Sequence, residues 1–242
     1  VRRLLPDPGP TSVEEQLEGY RPWEEAPAER PFVAMNFAST VDGRATIGGK
    51  SGPIGSDEDT HLLARLRTRF DAVMIGAGTM RAERYGRLVA NPEQRARRER
   101  LGLSPEPLMV IVSGRLDLPW DAALFEQDEG EILVFTASED EPPPLTASLE
   151  VIRHEGRVDL AAVLAHLRHQ RGIRALLSEG GPRLHSELQA GNLVDELFLT
   201  LAPKLSGAGP SIVEGELPEV ASLQLAWLLE AESELFARYR RA

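Results

Sequence analysis

The stretch RALLSEGGPRLHSEL, Arg174 to Leu188, changes character in its middle. Arg174 to Leu177 is a short apolar run of the kind that forms a buried strand. Gly180 and Gly181 then supply a tight turn, which opens a helix running through Leu188. A strand that enters a helix through two glycines is one step of an α/β fold with a mainly parallel sheet.

The same punctuation recurs outward from this step. Phe32 to Ala38, Ala72 to Ile75, Leu108 to Val112, Ile132 to Phe135 and Val151 to Arg153 read as strands. A helix is expected from Asp57 to Phe70, with Ser56 as its N-cap, acids in its first turn and a buried stripe of Leu62, Leu63, Leu66 and Phe70. Asp159 to Gln170 has helical spacing as well. Glu196 to Ala202, Leu223 to Glu230 and Glu234 to Tyr239 follow as strands without intervening helices, which predicts an antiparallel ending. The expected architecture is therefore α/β, a mostly parallel central sheet with antiparallel C-terminal strands and helices on both faces. Residues 31 to 242 are expected to form one domain. Val1 to Arg30, with Pro6, Pro8, Pro10, Pro22 and Pro27 among many carboxylates, reads as an extended acidic arm holding at most one helical turn, outside the core. Ala82 to Glu106 is highly charged without a clear period, as a mobile loop or an exposed helix would be.

A formal net charge of -11 opposes general binding to nucleic acid or an anionic membrane surface, so any anionic ligand must meet local basic groups. The absence of cysteine excludes disulfides, thiolate metal sites and the zinc deaminase signature. No apolar run approaches the roughly 18 residues that a membrane helix requires, and no secretory signal opens the chain; a cytoplasmic location is the expectation. The five histidines, His61, His154, His166, His169 and His185, show no metal spacing, and no Ser-His-Asp set or other nucleophile is identifiable.

Three stretches remain as candidates for chemistry, each after an apolar run: Ser39-Thr40-Val41-Asp42-Gly43, Gly76-Ala77-Gly78-Thr79 and Ser178-Glu179-Gly180-Gly181. Loops leaving the carboxyl ends of parallel strands share one sheet edge, where ligands bind. Glycines at such turns let backbone N–H groups approach a pyrophosphate, although tight turns also use glycine for steric reasons alone. A Rossmann fingerprint fails in detail, because its third glycine would fall at Arg81 and no acid-tipped strand follows promptly. Asp42 fits either a plain Asp-Gly turn or a functional loop. Glu179 suits hydrogen bonding to a polar heterocycle or its sugar, or simple exposure. Arg67, three residues before Phe70, suits either a ligand phosphate or a surface ion pair.

Together the three stretches resemble, over roughly Pro31 to Ser206, the reductase domain of the riboflavin-pathway pyrimidine deaminase/reductase family. The shared order is Ser39 to Gly43, Leu66-Arg67, Gly76 to Thr79 and Glu179 to Gly181, followed by Val194-Asp195-Glu196-Leu197 and Ala202-Pro203-Lys204. The resemblance implies a dihydrofolate-reductase-like sheet, NADPH as hydride donor, reduction of a phosphoribosylamino-pyrimidine to its ribitylamino product, and a homodimer. By position it assigns Gly76, Gly78, Thr79, Glu83, Ser113, Arg115, Gly180, Gly181, Pro182, Arg183 and Leu184 to the cofactor. Asn36, Ser51, Arg67, Arg87 and Glu179 fall on the substrate, with Asp42 and Glu179 at the reacting centre.

Two departures stand out. Asn36 occupies a place where many bacterial members carry lysine, which removes a direct proton donor there. Ala82-Glu83-Arg84-Tyr85-Gly86-Arg87 replaces the usual Ala-Asp-x-Pro-x-Leu, so that edge of the site is reshaped. Arg81, Arg84, Arg87 and Arg115 are the candidates for the cofactor 2′-phosphate or the substrate phosphate. Two alternatives stay open at this level: a reductase of another substrate such as dihydrofolate, and a nucleotide-binding module without chemistry.

Overall fold

Nine consecutive residues from Phe32 to Thr40 form β3, and all but Ala38 are buried. Such an unbroken run is what a strand covered on both faces requires. The computed structural model describes residues 1–242, which pack as two compact units. The first comprises Val1–Arg21, Val33–Leu66 and Ser178–Ala242; the second comprises Pro22–Phe32 and Arg67–Leu177.

In the first unit β3 pairs in parallel with β9 (Glu196–Ala202), in a register that sets Asn36 opposite Phe198. Beyond β9 the pairing turns antiparallel, through β11 (Glu234–Arg241) and then β10 (Leu223–Ala231). The antiparallel ending thus follows the expected pattern, because a two-residue turn at Glu232 and Ser233 leaves no room for a crossover helix. Helix α2 (Asp57–Arg67) starts where expected, with the Ser56 hydroxyl accepting the Asp59 N–H at 3.3 Å, and stops at Arg67, short of Phe70.

The N-terminal residues depart from expectation. They are no peripheral arm: β1 (Arg2–Leu5) pairs antiparallel with β10 and with β2 (Gly9–Pro10). Helix α1 (Val13–Glu18) follows behind a complete capping box, Ser12 and Glu15 satisfying each other's backbone N–H groups. Val13, Leu17 and Tyr20 are buried, and the Tyr20 hydroxyl donates to Glu196 at 2.8 Å. Glu196 itself is 1% exposed and also receives Arg238 and Arg240, which explains how a carboxylate persists in the core.

The second unit carries β4 (Ala72–Gly76), β5 (Leu108–Ser113), β6 (Glu131–Thr136) and β7 (Ser148–Arg153), paired in parallel in that order. Helix α3 (Ala77–Glu83) leaves β4 directly, and α5 (Leu160–His169) is capped by the Asp159 carboxylate. The charged stretch Ala82 to Glu106 is partly ordered as α4 (Pro92–Arg100), capped by Asn91. Its Arg98 is completely buried. Strand β8 (Ala175–Gly180) gives its first residues to the second unit and Ser178 to Gly180 to the first, where α6 (Pro182–Ala190) continues from it.

Candidate active site

In the first unit, the chain reverses after β3 in the turn Thr40 to Gly43. The Gly43 N–H donates to the Thr40 carbonyl at 2.8 Å, and Gly43 sits at φ +78°, where a side chain would be strained. Asp42 in this turn accepts three hydrogen bonds: from the Thr40 hydroxyl at 2.6 Å, the Ser206 N–H at 3.1 Å and the Gly207 N–H at 2.7 Å. These bonds, led by that of Thr40, hold its pKa at about 2. Asp42 is accordingly an ionised clamp joining two loops, and a carboxylate so held is a poor proton donor at neutral pH. Lys204 makes a second clamp, its ammonium donating to the carbonyls of Pro53 at 2.9 Å and Ile54 at 2.7 Å, next to the exposed Ser51.

Asn36 lies on the same face of β3 as Thr40, since side chains two and four apart share a face. It is 9% exposed, and its Oδ1 is buried with no hydrogen-bond donor. Such an orphan acceptor costs about 1–3 kcal/mol unless a ligand satisfies it. Glu179 is half-buried at the end of β8.

The glycine turn after Glu179 has a demanding geometry. Gly180 and Gly181 take φ +78° and +79°, and a Cβ on Gly180 would lie 2.5 Å from the Phe37 ring. Pro182 occupies the first turn of α6, where its missing N–H costs nothing. No side chain caps this nine-residue helix, and Arg183 is 87% exposed with only Glu187 near it, at 3.3 Å. Uncapped N–H groups at the start of this helix fit an anionic group such as a pyrophosphate. Behind the turn, His185 stacks on Phe37 with ring centroids 4.8 Å apart. Burial lowers its pKa, so it is neutral. Its Nδ1 faces the Ile212 carbonyl at 2.7 Å, which assigns the proton to that nitrogen.

In the second unit, Gly78 and Thr79 stand in the first turn of α3 rather than in a loop. The ends of β4 and β5 are neighbours, Gly76 facing Val112, so Gly76 to Thr79 and Ser113 to Arg115 lie side by side. Half-buried Glu83 closes α3. Three of the four candidate phosphate-binding arginines are matched by acids: Arg81 by Asp117 at 3.3 Å, Arg84 by Asp121 at 2.7 Å and Arg87 by Glu129 at 2.9 Å. The substrate assignment of Arg87 is weakened accordingly, since its charge is already compensated. Arg115 is exposed, with no ion pair. Arg67 donates to the Leu88 carbonyl at 3.2 Å and lies 5.7 Å from the Tyr85 ring centroid.

Residues 31–235 match the model of the RibD C-terminal domain. The chain belongs to this family. The 2,5-diamino-6-ribosylamino-4(3H)-pyrimidinone 5′-phosphate reductase of Archaeoglobus fulgidus is 36% identical over 77% of the chain and 88% of its own length. Among solved structures, a pyrimidine reductase-like protein of Corynebacterium diphtheriae shares 25% identity and a TM-score of 0.81, covering 96% of this chain and 99% of that one. The riboflavin biosynthesis reductase of Saccharomyces cerevisiae, 19% identical, has the same fold, with a TM-score of 0.71 over 95% of this chain and 99% of that one. The α/β fold is thus the dihydrofolate-reductase-like fold of RibD reductase domains, and the chain is an oxidoreductase of the riboflavin-biosynthesis type.

Sequence reasoning picked out Asp42, Asn36 and the glycine turn of this RibD-type domain, but not what holds them. The partners of Asp42, Ser206 and Gly207, lie far along the chain in a loop without a motif. In the sequence His185 shows only a lack of metal spacing, yet it is the buried support of the glycine turn. Arg98 gave no signal within its charged surroundings.

Proposed function

We propose that this chain catalyses the NADPH-dependent reduction of a 5-phosphoribosylamino-pyrimidine, ring-opened at its sugar, to the ribitylamino product. The observation that carries the reading is the buried, unsatisfied Oδ1 of Asn36 on the face of β3 that leads into the Asp42 turn. A polar heterocycle with N–H donors, such as an aminopyrimidinone, supplies what that atom lacks. The name of the Archaeoglobus fulgidus relative points to the same substrate class.

In this reading the cofactor, when bound, supplies a hydride to C1′ of the opened sugar, and the protein supplies position and charge. In the first unit Gly180, Gly181, Pro182, Arg183 and Leu184 are assigned to its pyrophosphate, and in the second unit Gly76, Gly78, Thr79, Glu83 and Ser113 are assigned to the cofactor. Among the candidate arginines Arg115 alone lacks an acidic partner, so it takes the 2′-phosphate that separates NADPH from NADH. Arg67 is assigned to the substrate phosphate, and Ser51 and Glu179 to the substrate's polar groups. Asp42 keeps the substrate loop in place and stays ionised, so the proton that accompanies the hydride comes from elsewhere, water being the simplest source. The reading extends to a cytoplasmic homodimer. Leu223 and Leu225, exposed on β10, offer apolar surface for the dimer contact.

The test is NADPH oxidation with the phosphoribosylamino-pyrimidine and with dihydrofolate in parallel. Oxidation dependent on the pyrimidine is expected. Turnover with dihydrofolate alone, or cofactor binding without turnover, transfers the assignment to another reductase or to a binding module.

A further inference from the structure

Within the first unit, Lys204 to Glu214 forms a strap without regular structure that touches both halves of the proposed chemistry. At one end it holds the turn after β3: Val41 donates to the Lys204 carbonyl at 2.9 Å, Ser206 and Gly207 donate to Asp42, and Ala45 donates to the Pro210 carbonyl at 2.9 Å. At the other end it hangs on α6. The His185 ring donates to the Ile212 carbonyl at 2.7 Å, and the Ser186 hydroxyl accepts the Glu214 N–H at 2.7 Å.

His185 also touches the glycine turn from behind. Its ring lies against Phe37, and Phe37 lies so close to Gly180 that not even a Cβ fits between them. A shift of Gly180 and Gly181 therefore displaces Phe37, then the imidazole, then Ile212 and the strap that positions Asp42. Close-packed contacts of this kind transmit a displacement, because they contain no slack to absorb it. With 1% exposure, His185 cannot itself reach a ligand.

We propose that His185 is a positioning residue that couples the glycine turn of α6 to the Asp42 turn through the Lys204 to Glu214 strap, so that cofactor and pyrimidine each tighten the binding of the other. The coupling rests on the proposed function, since it needs both ligands in the same molecule.

The experiment is calorimetric titration of NADP⁺, which has no hydride to give, with and without saturating phosphoribosylamino-pyrimidine. Wild-type protein should bind NADP⁺ at least about fivefold more tightly in the presence of the pyrimidine, with the reciprocal effect equal in size. His185→Phe retains a ring against Phe37 but removes the donor to Ile212 and the acceptor for the Gln189 amide, and should bring the effect below about twofold. His185→Asn places an amide N–H where the ring Nδ1 stands and should restore most of it. If His185→Phe does not fold, Ser186→Ala, which removes the acceptor for Glu214 together with the hydroxyl's own bond to the Pro182 carbonyl, should show the same loss. The proposal is overturned by independent binding of the two ligands to wild type, by undiminished coupling in His185→Phe or Ser186→Ala, or by His185→Asn behaving like His185→Phe. Failure of the pyrimidine to bind at all would instead remove the functional reading, and the coupling with it.

Discussion

Asn36 shows what a single residue says about a site. A buried carboxamide oxygen without a donor lowers stability, so replacing Asn36 with leucine, which keeps the branching of the side chain but carries no polar atom, should leave the fold intact or slightly more stable. The same change should raise KM for the pyrimidine roughly tenfold or more, through loss of a ligand hydrogen bond. Thermal unfolding and steady-state kinetics check both halves, and a clear fall in Tm with KM unchanged would make Asn36 structural. Asp42 behaves in the opposite way, because its bonds run inward to Thr40, Ser206 and Gly207. Its folded pKa lies below the ordinary value of 3.8, so its support of the strap is complete above that value and is lost only as pH falls through about 2. The pH–rate profile should therefore show no acid limb from this carboxylate above about pH 4. Asp42→Asn, with one acceptor where two backbone N–H groups need partners, should lower kcat/KM by roughly tenfold at all pH values in that range. Arg115→Ala should reduce the preference for NADPH over NADH by ten- to a hundredfold while leaving use of NADH nearly unchanged, an order expected for a guanidinium bound to a phosphate. Equal losses with both cofactors would remove the 2′-phosphate from Arg115.

At the scale of elements, the strands were legible because apolar runs such as Phe32 to Ala38 and Leu108 to Val112 leave little alternative to burial. The N-terminal segment reads as an arm because its prolines and acids outweigh the quieter pattern of Ser12-x-x-Glu15 around Val13 and Leu17, which is a capping box over an i, i+4 apolar pair. Helix α4 was hidden for a different reason. Its buried residue is an arginine, and no hydrophobic period marks a helix that packs through a guanidinium. Arg98 donates through Nε to the Ser104 carbonyl and through Nη1 to the carbonyls of Arg67 and Phe70. Burial lowers its pKa to about 10, with the carboxylates of Asp71 and Glu106 opposing the shift, so it stays charged under ordinary conditions. Arg98→Met should cost on the order of 3 kcal/mol in urea unfolding, since three carbonyls lose a charged donor. A change within about 0.5 kcal/mol would show that water replaces the guanidinium without penalty.

At the scale of the whole molecule, fold and reaction class follow from motifs in the right order, whereas the site's rigidity comes from contacts between distant segments. Asp42 with Ser206 and Gly207, His185 with Ile212 and Lys204 with Pro53 are tertiary bonds that no local pattern encodes. That is why candidate residues were legible and their division of labour was not. The motif alone leaves Asp42 free to act as a catalytic acid, and only its three donors make it a clamp. Buried His185 adds a pH dependence to the molecule: its folded pKa is lowered, so its contribution to stability is complete above the ordinary histidine value of 6.5 and falls away as pH drops below it.

Hydride delivery to the sugar carbon of a pyrimidine is read out by isotope transfer. With NADPH carrying deuterium at the transferring C4 position, the phosphoribosylamino-pyrimidine should yield a ribitylamino product bearing one deuterium at C1′, read by mass spectrometry and NMR. Product without deuterium at C1′, or consumption of NADPH with the pyrimidine recovered unchanged, would rule out hydride transfer to that carbon.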